Sequence, residues 1–361
     1  MRVLAVVSYS DRAEAAMFIG LSREGIDLEV LCEPSASAFE VYRAAGIAVE
    51  ALSIRRHYEL SAIRRIRARL RTGGFDVLHL LTRRAVRNGI VAARGSSVRI
   101  VAYRGVAGGT RLYDPASWLT YLNPAVDRIV CVSDVVRNDL LDQRLLGVRV
   151  PPQKAITISK GHDVDWYSAP PADLAELGVP PGGFTVGCMA NLRANKAVDR
   201  LVASARHLPP DNGVRFVLVG RDMDGARVRR WIDTTPDPGQ FHVMGHRRDG
   251  PEIMAACDAL VLPSIGGEGL SKVVIEAMAH GTPPIVTVPG GGELVEDGRS
   301  GLVVPPDDPV AIAAAITRLA NDRAGAEQMG RAARERIREH FSVGETVRRT
   351  RRLYEELSST S

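Results

Sequence analysis

A chain of 361 residues that is 45% hydrophobic and 25% charged is expected to form two globular domains, each large enough to bury its own core, which excludes a disordered or low-complexity protein. No apolar run approaches the length of a membrane helix, and the opening MRVLAVVSYSDR reads as a first strand rather than a signal peptide. The four cysteines, Cys32, Cys131, Cys188 and Cys257, have neither metal-site spacing nor disulfide density, which fits a reducing cytoplasm. The net charge of +5 is uneven: residues 1–150 carry 22 Arg and no Lys against 15 acids, a balance of +7, and the remainder comes to −2.

In chain order, strand-like apolar runs fall at residues 3–7, 28–31, 77–81, 99–102 and 128–132, with helical stretches between most of them. One of these, RRHYELSAIRRIRARLR from Arg55 to Arg71, carries Leu60, Ile63, Ile66 or Arg67, and Leu70 at helical spacing among arginines. It reads either as a solvated helix face or as a contact for anionic lipid or an acidic glycan. Nearly absent aromatics argue against nucleic acid. A Pro- and Gly-rich stretch at 170–183 precedes a second series of runs at 185–189, 215–219, 242–244, 259–262, 284–288 and 301–303, and residues 342–357 look helical. Such alternation predicts an α/β chain of two Rossmann-like units with parallel sheets, dividing near residues 158–167, whose ligands lie at the carboxyl ends of the strands.

The stretch from Pro263 to Val286, PSIGGEGLSKVVIEAMAHGTPPIV, carries the chemistry. Gly266, Gly267 and Gly269 permit close backbone approach, Ser271 suits an N-cap, and free amides at a helix start suit a phosphate. Glu268 in the loop and Glu276 inside the helix could reach two parts of one ligand, and two carboxylates around a diphosphate suggest a sugar nucleotide. The plain alternative is a solvated loop glutamate and an ordinary helix glutamate. After the 185–189 strand comes Asn191-Leu192-Arg193-Ala194-Asn195-Lys196, whose basic residues at a strand end suit phosphate. The loops Val219-Gly220-Arg221-Asp222 and Met244-Gly245-His246-Arg247-Arg248 fit the nucleotide end.

With these residues the chain resembles the family 4 glycosyltransferases over nearly its whole length. The resemblance implies the GT-B architecture, two Rossmann-like domains facing across a cleft: an acceptor-binding domain at 1–163, a nucleotide-sugar-binding domain at 164–341, and a C-terminal helix at 342–361 returning to the first domain. It implies Glu268 beside the donor sugar, Glu276 on the ribose, and the backbone of Gly269, Leu270, Ser271 and Lys272 at the diphosphate. Lys196, with Arg193, would neutralise the leaving group, since Asn191 stands where the family has arginine. Gly245, His246 and Arg247 would meet the nucleotide. The family's Gly-Gly loop after the first strand is replaced by Ser10, Asp11 and Arg12, and its histidine after the fourth strand by Tyr103 and Arg104. Arg104 is the nearest polar substitute for that histidine, and Gly105 to Gly109 with Tyr113 and Asp114 could shape an acceptor pocket. Ser133 is a candidate for the cleft or for an N-cap.

The implied activity is retaining transfer of a hexose-like sugar from a nucleoside-diphosphate sugar to an acceptor hydroxyl, in cell-surface glycan or glycolipid synthesis. The acceptor would be a glycan, a lipid-linked saccharide or a small molecule. No cofactor or metal is expected; Asp163-Val164-Asp165 has the spacing of an Asp-x-Asp motif but lies between the domains. A cytoplasmic location is expected, with peripheral contact at the inner, anionic membrane face as an option and no nucleic-acid partner. The alternatives are a non-catalytic GT-B module binding a glycan or partner, and a sugar-nucleotide epimerase or hydrolase.

Overall fold

The computed structural model describes residues 1–108, 115–143, 149–266 and 268–359. The chain divides into two compact units, Met1–Gly161 with Phe341–Ser361, and His162–His340. The sequence reading put these divisions at 163/164 and 341/342.

The first unit holds β1 (Arg2–Val7), β2 (Asp27–Cys32), β3 (Ala48–Ala51), β4 (Val77–Leu80), β5 (Arg99–Arg104), β6 (Arg128–Cys131) and β7 (Ala155–Thr157) in one sheet of order β3-β2-β1-β4-β5-β6-β7. Every pairing is parallel, as helices between successive strands require. Covered on both faces, β1 is apolar from Val3 to Val7 and β4 is buried throughout, His79 included. The edge strands β3 and β7 escape a pattern reading, because AVEA and AIT are short and only partly buried. Strand order reverses between β1 and β4, so the loops after these two strands begin together: Ser8 Oγ lies 3.3 Å from Thr82 Oγ1.

The Arg12–Arg23 helix lies over this sheet beside the Val343–Ser359 helix, and Phe18 and Leu21 share a core with Val347, Leu353, Tyr354 and Leu357. Gly20 makes the close approach possible, since a Cβ there would sit 2.5 Å from Val347 Cγ2. The basic segment forms the helix Leu60–Gly73, with Ile63 and Ile66 buried but Leu60 69% exposed, outside the expected apolar stripe. Several of its arginines are committed locally. Arg69 pairs with Glu29 at 2.5 Å, Arg65 pairs with Glu50, and Arg67 donates to the Val91 and Ala92 carbonyls.

The second unit holds β8 (Phe184–Met189), β9 (Val214–Val219), β10 (Phe241–Gly245), β11 (Ala259–Leu262), β12 (Pro284–Thr287) and β13 (Leu302–Val304), again all parallel, in the order β10-β9-β8-β11-β12-β13. Phe216 and Phe241 stack at 4.7 Å across β9 and β10. The order here reverses between β8 and β11, which brings the 190–196 and 263–271 loops to one place.

Candidate active site

In the second unit the two switch-point loops are bound to each other. Ile265 N–H donates to the Asn195 carbonyl at 2.8 Å, and Asn195 Nδ2 donates to the Gly266 carbonyl at 2.9 Å. This double link delivers Lys196 to Glu268 as an ion pair whose side chains retain only 18% and 14% exposure. The same Glu268 Oε1 is 3.2 Å from Ser264 Oγ, and the Ser264 carbonyl accepts from the Thr287 hydroxyl, itself the N-cap of the short helix Val288–Gly291. Sequence reasoning found Lys196 and Glu268 but passed over half-buried Asn195 and buried Ser264 and Thr287, because hydroxyl and amide groups carry no periodic signal. Gly267 lies outside the described residues.

Lys196 closes a short turn over Ala194–Lys196, and Ala197 after it has φ 48°, a left-handed conformation unusual for a residue with a Cβ. Arg193 is exposed, its carbonyl accepts from Lys196 N–H at 3.0 Å while its guanidinium has no hydrogen-bond or ion-pair partner among the described residues, and it lines a pocket of about 120 Å³ with Arg227, Trp231 and Ile265. The structure thus brings Lys196, and not the Arg193 side chain, to Glu268.

The helix Lys272–His280 begins at Ser271, whose position is that of an N-cap but whose hydroxyl makes no capping hydrogen bond. That corrects the expected capping role and leaves the first-turn amides without a side-chain acceptor among the described residues, which is the condition under which they can hold an anion. Glu276 is buried, and Lys272 one turn earlier reaches it at 2.9 Å. Gly269 and Leu270 are half-buried in the approach to this turn. Around the neighbouring strands, Asn191 Oδ1 accepts from Arg221 N–H at 3.3 Å, and Leu192 N–H donates to the Arg221 carbonyl at 3.0 Å. Gly220 allows this contact: a Cβ there would run into the Ala190 carbonyl, and its φ is 143°. Gly220 N–H also donates to the Gly245 carbonyl at 2.7 Å. His246 is exposed, whereas Arg247 forms a two-pronged pair with Asp249 at 2.9 and 2.7 Å, so its charge is already balanced.

In the first unit the candidates divide by orientation. Ser10 is buried against the Tyr42 hydroxyl at 2.6 Å. Asp11 caps the Arg12–Arg23 helix through Glu14 N–H and meets Lys160 at 2.5 Å, while Arg12 is exposed. The Tyr103 hydroxyl is buried, not presented to solvent. Arg104, expected near the chemistry, is 1% exposed: it pairs with Asp139 at 2.5 Å and donates to the carbonyls of Val106 and Gly108. Burial foremost, and the nearby charge of Arg83, push its pKa down, and Asp139 opposes that shift. Through these bonds Arg104 ties the loop after β5 to Asp139. Gly109, Tyr113 and Asp114 lie outside the described residues. Ser133 is fully buried and caps the Asp134–Leu141 helix, accepting from Val136 N–H at 3.2 Å. Asp163 likewise accepts from Asp165 N–H within its own turn.

Each unit is thus a Rossmann-like parallel sheet, and the second pairs a lysine with a glutamate at its switch point. The family description "Glycosyltransferase Family 4" matches residues 16–166 and "Glycosyl transferases group 1" matches residues 183–322. The chain is 31% identical over 268 residues to the alpha-maltose-1-phosphate synthase of Mycolicibacterium smegmatis, covering 68% of each protein. It is 28% identical over 247 residues to a D-inositol 3-phosphate glycosyltransferase of Corynebacterium kroppenstedtii, an alignment covering 64% of this chain and 53% of that relative. Among solved structures, HepE of Anabaena in complex with UDP matches 99% of this chain and all of its own at a TM-score of 0.76 and 20% identity. A glycosyltransferase of Rickettsia africae matches 100% of this chain and 99% of its own at 0.79 and 17% identity. The chain belongs to the family 4 type of GT-B glycosyltransferases.

Proposed function

We propose that this chain transfers a hexose-like sugar from a nucleoside diphosphate to an acceptor hydroxyl with retention of configuration, in the synthesis of a cell-surface glycan or glycolipid. The observation that carries the reading is the Lys196–Glu268 pair, formed where the loops after β8 and β11 meet. A diphosphate offers Lys196 more charge and more acceptor oxygens than one carboxylate does, so donor binding draws the lysine across and frees Glu268 to orient the hydroxyls of the sugar. Lys196, Arg193 and the amides of residues 270–272 then stabilise the charge that grows on the departing diphosphate. Glu276 exchanges Lys272 for the ribose hydroxyls, and Asn191, Gly245, His246 and Arg247 surround the nucleotide end.

In this scheme the bond from the anomeric carbon to the diphosphate oxygen breaks, and the bond to the acceptor oxygen forms on the same face. The acceptor proton passes to a diphosphate oxygen, so no separate base and no divalent metal are needed. HepE is described with UDP and with UDP-glucose, which supports uridine as the first base to test. Two relatives are named for phosphate-bearing sugar or inositol compounds, which supports an anionic acceptor. On this reading the acceptor would lie by the loops after β1 and β4, around Asp11 and Arg12. Thermal stabilisation by uridine, guanosine, adenosine and cytidine diphosphates and their sugar conjugates, with and without EDTA, tests the donor site. Stabilisation by one base that survives EDTA supports the reading, and a folded protein that no nucleotide stabilises refutes it. The anomeric configuration of the product by NMR tests retention.

A further inference from the structure

Lys160 follows the edge strand β7, yet its partners stand after β1. The strands β4, β5 and β6 separate these two, four spacings or roughly 19 Å, far beyond the reach of one lysine side chain. Residues 158–161 therefore fold back across the unit. Ile158 N–H donates to the Cys131 carbonyl of β6 at 2.9 Å, and Lys160 Nζ lies 5.6 Å from the centre of the Tyr103 ring of β5. The same Nζ reaches Asp11 Oδ2 at 2.5 Å and Glu14 Oε1 at 2.7 Å. Backbone contacts seat the segment on either side of the lysine. The Ser159 carbonyl accepts from Thr346 Oγ1 at 2.8 Å, and a Cβ at Gly161 would sit 2.3 Å from the Ser342 carbonyl oxygen.

Both carboxylate oxygens of Asp11 are thereby engaged: Oδ1 accepts from Glu14 N–H at 2.8 Å and Oδ2 from Lys160, while the side chain keeps 54% exposure. Burial acts to lower the Lys160 pKa, but Glu14 and Asp11 outweigh it and the net shift is upward, so the ammonium group stays charged. We propose that Lys160 is a positioning residue for the acceptor: it fixes Asp11 so that the exposed part of that carboxylate takes a hydrogen bond from an acceptor hydroxyl. This role rests on an acceptor bound by the loops after β1 and β4. A carboxylate already pinned in one rotamer loses little freedom when the hydroxyl arrives, whereas an unpinned one must be ordered first. Lys160 spends its own charge on Asp11 and Glu14, so it acts through Asp11 and not on the substrate.

With UDP-glucose as donor and D-inositol 3-phosphate or octyl glucoside as acceptor, Lys160→Met and Asp11→Asn should each raise the acceptor KM about tenfold and leave the donor KM within about twofold of wild type. Lys160→Arg keeps the charge and is expected to restore most of the loss. Because the lysine acts through Asp11, the double variant should raise the acceptor KM by no more than about twentyfold, against about a hundredfold for independent residues. An unchanged acceptor KM in Lys160→Met, equal rises in donor and acceptor KM, or a hundredfold rise in the double variant overturns the proposal. Hydrogen exchange reads the same hold without any acceptor. In Lys160→Met the peptide covering residues 8–16 is expected to exchange about tenfold faster, and unchanged exchange there overturns the proposal as well. A wild type that transfers to neither acceptor, with that peptide responding, removes the acceptor role and keeps the hold of Lys160 on Asp11.

Discussion

Each of the four lysines in this arginine-rich chain is held by oxygen atoms. Lys154 donates to the Pro124 and Val126 carbonyls, Lys160 meets Asp11 and Glu14, Lys196 meets Glu268, and Lys272 meets Glu276. A lysine is a compact point charge on a flexible stem and can change partners, which suits Lys196 to a site where carboxylate and phosphate alternate. Lys196→Ala is expected to lower kcat/KM by about 10²-fold or more while leaving the folded state intact by circular dichroism. Glu276→Ala should weaken nucleotide diphosphate binding about tenfold in calorimetry and lower kcat less than the Lys196 change does. Scarcity of lysine made Lys196 and Lys272 legible in the sequence. Lys160 was equally visible by that measure and was missed, because its partners Asp11 and Glu14 lie some 150 residues away. Interior His79 supplies a pH test. Its folded pKa is depressed to about 3 from an ordinary 6.5, so between these values the unfolded chain binds a proton that the folded chain does not. Stability from neutral His79 is therefore present above 6.5 and lost as pH falls through that window, while Glu14, raised by burial, acts in the opposite sense. The advantage of wild type over His79→Gln in urea midpoint should shrink as pH is lowered from about 7.5 to about 4.5.

Among the elements, the Val343–Ser359 helix shows how far a pattern reading reaches. Its apolar positions Val347, Leu353, Tyr354 and Leu357 are buried and share a core with Phe18 and Leu21. The helical period was readable, but the Gly20 contact that seats it is invisible without the neighbour. Leu353→Ala should cost about 2–5 kcal/mol, read as a lower denaturation midpoint of the first unit. Gly20→Val, which forces a side chain into Val347, should do comparable damage. Strands were legible where both faces are covered, as in β4 and β11, whose residues are all buried. β3 and β7 were not, since an edge strand needs apolar residues on fewer faces and its length falls below any useful window. The glutamate-bearing loop was legible from its glycines and the helix after it. The Ser264–Thr287 support beneath it was not, because it joins the ends of two strands through a carbonyl and a hydroxyl.

For the whole molecule, the alternation of apolar runs made two parallel sheets legible, and the uneven charge led to the expectation of a basic surface on the first 150 residues. The structure reduces the field of that surface, since Arg65, Arg67 and Arg69 are spent on Glu50, on backbone carbonyls and on Glu29. If the remaining charge serves an anionic lipid face, sedimentation with anionic vesicles should occur at low salt and vanish above about 0.15 M, where the Debye length is near 8 Å. No sedimentation at low salt removes the membrane contact. The return of the chain to its first unit also has a bearing on biosynthesis. His162–His340 is an insertion within a discontinuous unit, so on the ribosome Met17, Phe18 and Leu21 wait for Val347 and Leu353 until the whole insertion has been made. At about 5–20 residues per second that is an interval of roughly 10–40 s in which the first unit exists with its apolar flank uncovered, the period in which a chaperone would be most needed.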